Sequence, residues 1–203
     1  MKSIVDLLIQ KDSIFRQIVT LYGLPEIIPS RPEGFETLVL LILEQQVSID
    51  SAKATYLKLR TGVGAIIPEN LVGLSEETFR SYGVSRQKAR YISYLATAVL
   101  EKSIDLDSLS SKSSEQIRAE LIQLKGIGNW TIDVYLMFAL QKPDVLPIGD
   151  VAIVNTMREL LNLETKEEMM VYAEGWAPHR TYASFLLWHY YLKKRGRTIT
   201  YQY

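Results

Sequence analysis

The chain has 203 residues, 47% of them hydrophobic and 23% charged, which is enough apolar material for a buried core and excludes a disordered tail. Its 23 Lys and Arg balance 23 Asp and Glu, so net charge alone announces neither a nucleic-acid binder nor an acidic tail. Cysteine is absent, which excludes disulfides, thiolate nucleophiles, thiolate zinc sites and iron–sulfur clusters; His179 and His189, the only histidines, do not have a metal-ligand spacing.

In chain order, MKSIVDLLIQKDSIF reads as an amphipathic helix without a signal-peptide cleavage pattern. No apolar run approaches the roughly 20 residues that span a bilayer. The expectation is a soluble chain inside the cell, with no membrane partner. Phe35 to Val47 is too apolar for a surface helix and is predicted to be buried nearly all round. Ser51 to Leu59 and Glu76 to Ser81 have helical spacing, and Gly62, Gly64 and Pro68 between them mark a seam between two lobes. Ser85 caps a helix carrying Tyr91, Ile92, Leu95, Ala96 and Val99.

Ser114 caps the next helix, with Ile117, Leu121 and Leu124 as its apolar face and Gly126 as its stop. A helix from Trp130 to Leu140 follows, then a loop with Pro143 and Pro147. Asp150 stands at an N-cap position ahead of Ile153, Val154, Met157, Leu160 and Leu161. Helices near Lys166–Glu174 and Tyr182–Lys194 complete an all-α chain of about ten helices, without β-alternation or a repeat. No acidic residue follows Glu174, whereas Arg180, Lys193, Lys194, Arg195 and Arg197 do. That basic end either faces phosphate or simply loads a helix C-terminus with cations.

The most informative stretch is LIQLKGIGNWTIDVYLMFAL, Leu121 to Leu140. Gly126-Ile127-Gly128 breaks one helix and another begins almost at once. Glycines permit a tight reversal and a close backbone approach, and the second helix opens with unpaired N–H groups that suit a phosphate oxygen. By itself the same pattern also describes an ordinary αα-hairpin with Ile127 plugging the core.

Taken with their surroundings, these residues resemble the helix-hairpin-helix DNA glycosylase superfamily, and within it the 3-methyladenine DNA glycosylase II branch. Three blocks carry the likeness in the family's order, Leu41–Ala54, Tyr82–Ala96 and the hairpin through Val145–Met157, and Trp176–Trp188 then resembles the family's closing helix. The likeness runs from about residue 35 to 192, and its most specific feature is GIG-x-W-T with Asp150 placed 24 residues after Gly126. The resemblance implies a two-lobed helical DNA glycosylase fold, one core over 1–203 with the hairpin at about 114–140. It also implies a compact form without the N-terminal β domain of some bacterial relatives.

The same resemblance implies a monofunctional enzyme that flips an alkylated purine out of double-stranded DNA and hydrolyses its N-glycosidic bond. Asp150 is the expected catalytic carboxylate, stabilising an oxocarbenium-like sugar and handling the water. Trp130 is expected to stack on the cationic base. It stands where bifunctional relatives carry a Schiff-base lysine, and Lys125 is on the turn instead. Gln46 is expected to wedge into the vacated stack. Gln45, Gly126, Ile127, Gly128, Asn129 and Thr131 are expected to contact DNA. Val134, Val151 and His179 stand where close relatives often carry pocket aromatics. No cofactor is expected apart from a structural monovalent cation on the backbone carbonyls of Leu124 and Ile127. The expected partner is duplex DNA with a damaged base, bound by a monomer. The competing readings are a hairpin module that binds DNA without chemistry and a glycosylase for other damaged bases.

Overall fold

The apolar spacing resolves into helices throughout. The computed structural model describes residues 2–26 and 28–197 and among them contains no strand. Twelve α-helices follow one another: α1 (Lys2–Lys11), α2 (Ser13–Tyr22), α3 (Phe35–Glu44), α4 (Ile49–Val63), α5 (Pro68–Leu71), α6 (Glu76–Ser81), α7 (Arg86–Leu100), α8 (Ser114–Leu121), α9 (Asn129–Phe138), α10 (Val151–Leu161), α11 (Lys166–Ala173) and α12 (Arg180–Lys194). Two single 3₁₀ turns lie at Leu109–Ser111 and Glu174–Trp176.

The two helices beyond the expected ten have local causes. The N-terminal amphipathic stretch is two helices, because Asp12 turns its side chain onto the Ile14 N–H at 3.1 Å and starts α2. Pro68, with its fixed φ, opens the four-residue α5 at N1. The hairpin's first helix is capped one residue earlier than expected. Ser113 accepts from Gln116 N–H while the Gln116 side chain returns to Ser113 N–H, a full capping box.

The chain divides into two units, and the cuts fall at 29/30 and 140/141, not at the seam expected between Gly62 and Pro68. Gly64 (φ +83°) merely ends α4, and Pro68 begins a short helix inside the same unit. One unit holds α3 to α9. Its centre is α3, buried along eight of its ten residues and packed on α4, α7 and α9, while α8 packs on α9. The other unit, built from both ends of the chain, holds α1, α2 and α10 to α12. There α12 packs on α10, α2 and α1 around Phe15, Met157, Trp176 and Leu187. Burying each such side chain stabilises by roughly 1.5–3 kcal/mol. No helix among the described residues is long and apolar enough to cross a membrane.

Candidate active site

The hairpin joins α8 to α9 through residues 122–128. Gly126 has φ +92°, and a Cβ there would fall 2.1 Å from the Tyr91 ring of α7, so this glycine is dictated by packing as well as by backbone. Gly128 differs. It is the N-cap of α9 with no side-chain cap, and a Cβ on it would meet nothing within 4 Å. The opening N–H groups of α9 thus have no capping side chain, and Gly128 and Asn129 are exposed beside them. Ile127 is buried at 4% exposure and plugs the core, while its N–H donates to the Leu124 carbonyl at 3.0 Å.

Two residues expected on the DNA turn inward. Thr131 is 1% exposed. Its hydroxyl accepts from the Gln45 amide at 3.1 Å, and the same amide donates to the Gly126 carbonyl at 2.9 Å. Gln45 thus ties the end of α3 to the hairpin at Gly126 and Thr131. Gln46 is the opposite case: exposed, with φ +57° in a region that a side chain enters only at a cost.

Trp130 is half-buried as the second residue of α9, and Tyr135 and Trp176 are core residues. Val134 is buried, Val151 is 68% exposed and His179 is half-buried just before α12. The Lys125 ammonium lies 4.6 Å from the Tyr94 ring centroid, drawn over its π-face. Deeper in the hairpin, Arg118 of α8 pairs with Asp133 of α9, whose carboxyl burial pushes up to about 6 despite the guanidinium.

In the other unit Asp150 stands at the start of α10 and its Oδ1 accepts three N–H groups: Ala152 at 2.9 Å, Ile153 at 3.3 Å and the indole Nε1–H of Trp188 at 3.0 Å. The two backbone donors make it the N-cap that its position announced. The indole bond crosses from α12 and fixes the carboxylate's orientation. In the sequence Trp188 is marked only as the last residue of the Trp176–Trp188 block.

The loop before Asp150 is fixed by the same helix. Arg180 grips Asp144 with two bonds of 2.8 and 2.7 Å, which holds that carboxyl below its ordinary range. Buried Thr181 accepts from Val145 N–H and donates to the Lys142 carbonyl, and Ser184 donates to the Val145 carbonyl. Arg180, Ser184 and Trp188 are four residues apart, so one face of α12 holds the loop along its length. The basic chain end is partly engaged inside the unit: Lys194 pairs with Glu159, and the Arg195 guanidinium lies 3.7 Å from the Tyr191 ring centroid. Among the described residues no cluster of three or more His, Asp or Glu could hold a metal ion.

An all-helical fold with a glycine hairpin followed by an aspartate at a helix start has counterparts. Residues 39–180 match the HhH-GPD superfamily of base excision DNA repair proteins, and the chain belongs to that family. It is 30% identical over 186 residues to DNA-3-methyladenine glycosylase 1 of Schizosaccharomyces pombe, covering 87% of this chain and 82% of that protein. A putative DNA-3-methyladenine glycosylase of Bacillus subtilis, YfjP, is 31% identical over 124 residues, 60% of this chain, and the match spans only 43% of that relative. The structure of S. pombe 3-methyladenine DNA glycosylase (Mag1) in complex with abasic-DNA superposes with a TM-score of 0.79 at 27% identity, covering 95% of each chain.

Proposed function

We propose that this protein is a monofunctional DNA glycosylase that hydrolyses the N-glycosidic bond of alkylated purines, 3-methyladenine first, with 7-methylguanine as a further substrate and hypoxanthine, a neutral base that must take up a proton from solvent as it leaves, as another. It acts as a monomer on double-stranded DNA that carries the damaged base. Family membership and relatives named as 3-methyladenine glycosylases support the reaction class. A DNA-bound neighbour supports the partner. The observation that carries the reading is the Asp150 carboxylate, fixed by three N–H donors on one oxygen.

The uncapped start of α9 and the turn backbone hold a phosphate, which positions the strand without reading its bases. The Leu124 and Ile127 carbonyls are neutral oxygen donors of the kind a monovalent cation takes, and such an ion supplies positive charge toward that phosphate. Gln46 fills the stack left by the flipped nucleotide. Trp130 stacks on the flat, cationic base, a contact worth roughly 0.5–2 kcal/mol.

The 3-methylated purine already carries positive charge. Breaking the C1′–N9 bond returns the electron pair to the ring, so the base leaves neutral and needs no strong acid. The sugar becomes an oxocarbenium-like cation, and the Asp150 carboxylate stabilises it in a poorly solvated site. Water then bonds to C1′ and its proton passes to Asp150 or to solvent, leaving an abasic site. With Trp130 in place of the lysine, no Schiff base forms and the strand stays uncut.

Incubation with methylated duplex and measurement of free base tests the reading. Asp150→Asn keeps the cap and DNA binding but lowers release by about 10²-fold or more, the size of losing such charge stabilisation. No release by the unaltered protein in large excess, with duplex still bound, would leave only a DNA-binding module.

A further inference from the structure

The turn carrying Gln46 is held in an unusual way. Each of the three residues before it is tied by its backbone or side chain to a different part of the same unit. The Leu43 carbonyl, at the C-terminal end of α3, accepts from Lys88 Nζ of α7 at 2.7 Å. The Glu44 carboxylate takes two bonds from Arg31, at 2.9 and 2.7 Å, with side chains only 7% and 4% exposed. Arg31 is itself anchored at the end of α9, donating its backbone N–H to the Phe138 carbonyl at 2.9 Å. Gln45 then reaches the hairpin at Gly126 and Thr131.

General stability does not explain this set. A buried ion pair contributes little net stability compared with apolar residues of the same shape, and Glu44 sits where the α3 dipole disfavours negative charge. The set does explain the next residue. A non-glycine φ of +57° costs energy, and the three ties hold the chain immediately before Gln46. Burial pushes the Lys88 amine below its ordinary value, and its ammonium donates to the Leu43 carbonyl within the unit.

We infer that Lys88, the Arg31–Glu44 pair and Gln45 form a three-point clamp that presets Gln46 for entry into the base stack and fixes it to the hairpin that grips the backbone. These are positioning residues and not DNA contacts. The inference rests on Gln46 being the wedge. Grip and wedge then approach the duplex in one register, and losing the clamp slows flipping while leaving the bond-breaking step intact.

Single-turnover base release at saturating protein tests this on two duplexes with the same alkylated purine, one normally paired and one opposite an abasic site, where the stack is already open. A 2-aminopurine beside the lesion reports unstacking in parallel. Gln45→Leu and Lys88→Met lower release and slow the fluorescence rise about tenfold on the paired duplex and less than about twofold on the abasic-opposed one; Lys88→Arg, which keeps a donor, stays near the unaltered protein. Equal losses on both duplexes, or no loss on either, overturn the clamp. Should Gln45→Leu not fold, the Lys88 pair decides alone. If no base is released at all, the fluorescence decides. Gln46→Ala separates the two ideas: unchanged fluorescence and duplex ratio refute the wedge itself, whereas an effect there without one at Gln45 or Lys88 refutes only the clamp.

Discussion

A carboxylate at a helix start is oriented by backbone N–H groups whether or not chemistry needs it, so the informative bond on Asp150 is the one from outside its own helix. The Trp188 indole donates to the same Oδ1 that caps α10. A hydrogen bond to a charged group contributes roughly 1.5–3 kcal/mol. Part of that is expected in orientation, because a rotated carboxylate no longer faces the sugar. Trp188→Phe removes the N–H and keeps an aromatic ring beside Phe185. Base release is expected to fall about tenfold, equivalent to 1.4 kcal/mol, with DNA affinity unchanged. Single-turnover release alongside duplex titration checks this; a full-rate variant would show that the backbone donors suffice.

The hairpin and α12 show which elements sequence can and cannot disclose. In the hairpin, two glycines that look alike in GIG have different jobs. Gly126→Ala places a methyl into the Tyr91 ring at a positive φ, and stability is expected to fall by about 2 kcal/mol or more. At Gly128 a Cβ meets nothing within 4 Å at an ordinary φ of −108°, so Gly128→Leu is expected to fold, with its bulk over the exposed start of α9. Affinity for every duplex is expected to drop about tenfold, regardless of lesion, when the phosphate loses its approach. Thermal melts and salt-controlled titrations separate the two outcomes.

The hairpin and the N-cap position of Asp150 were legible because each is a local pattern whose partners lie within a few residues, whereas the indole that also meets Asp150 lies 38 residues on. The bonds from Gln45 to Gly126 and Thr131 were not legible, because they join residues 81 and 86 apart. The α12 face was hidden for a related reason. Arg180, Ser184 and Trp188 repeat every fourth residue, but nothing in that spacing says that a loop from residue 142 onward lies against them. Trp188 also falls beyond the 39–180 span that carries the family match.

Over the whole molecule, two buried or half-buried carboxyls shape the response to acid with opposite signs. Asp144, held below its ordinary range by Arg180, contributes stability that is present above the unfolded carboxylate range and lost as pH falls through its lowered value. Asp133 works the other way. Its carboxyl is raised from 3.8 to about 6, so the folded chain binds a proton more tightly than the unfolded one. Its stability contribution is complete below pH 3.8 and is lost as pH rises through about 6. The difference is at most about 3 kcal/mol, since one unit corresponds to roughly 1.4 kcal/mol and Arg118 is itself partly solvated. Asp133→Asn keeps an acceptor for Arg118 and cannot ionise. Its stability relative to the unaltered protein should therefore be higher at pH 7 than at pH 4, and the change should concentrate between pH 4 and 6. Urea unfolding across that range measures it directly. A constant difference would mean that the Arg118–Asp133 pair is ionised throughout and that the guanidinium, not burial, governs the join between the two hairpin helices.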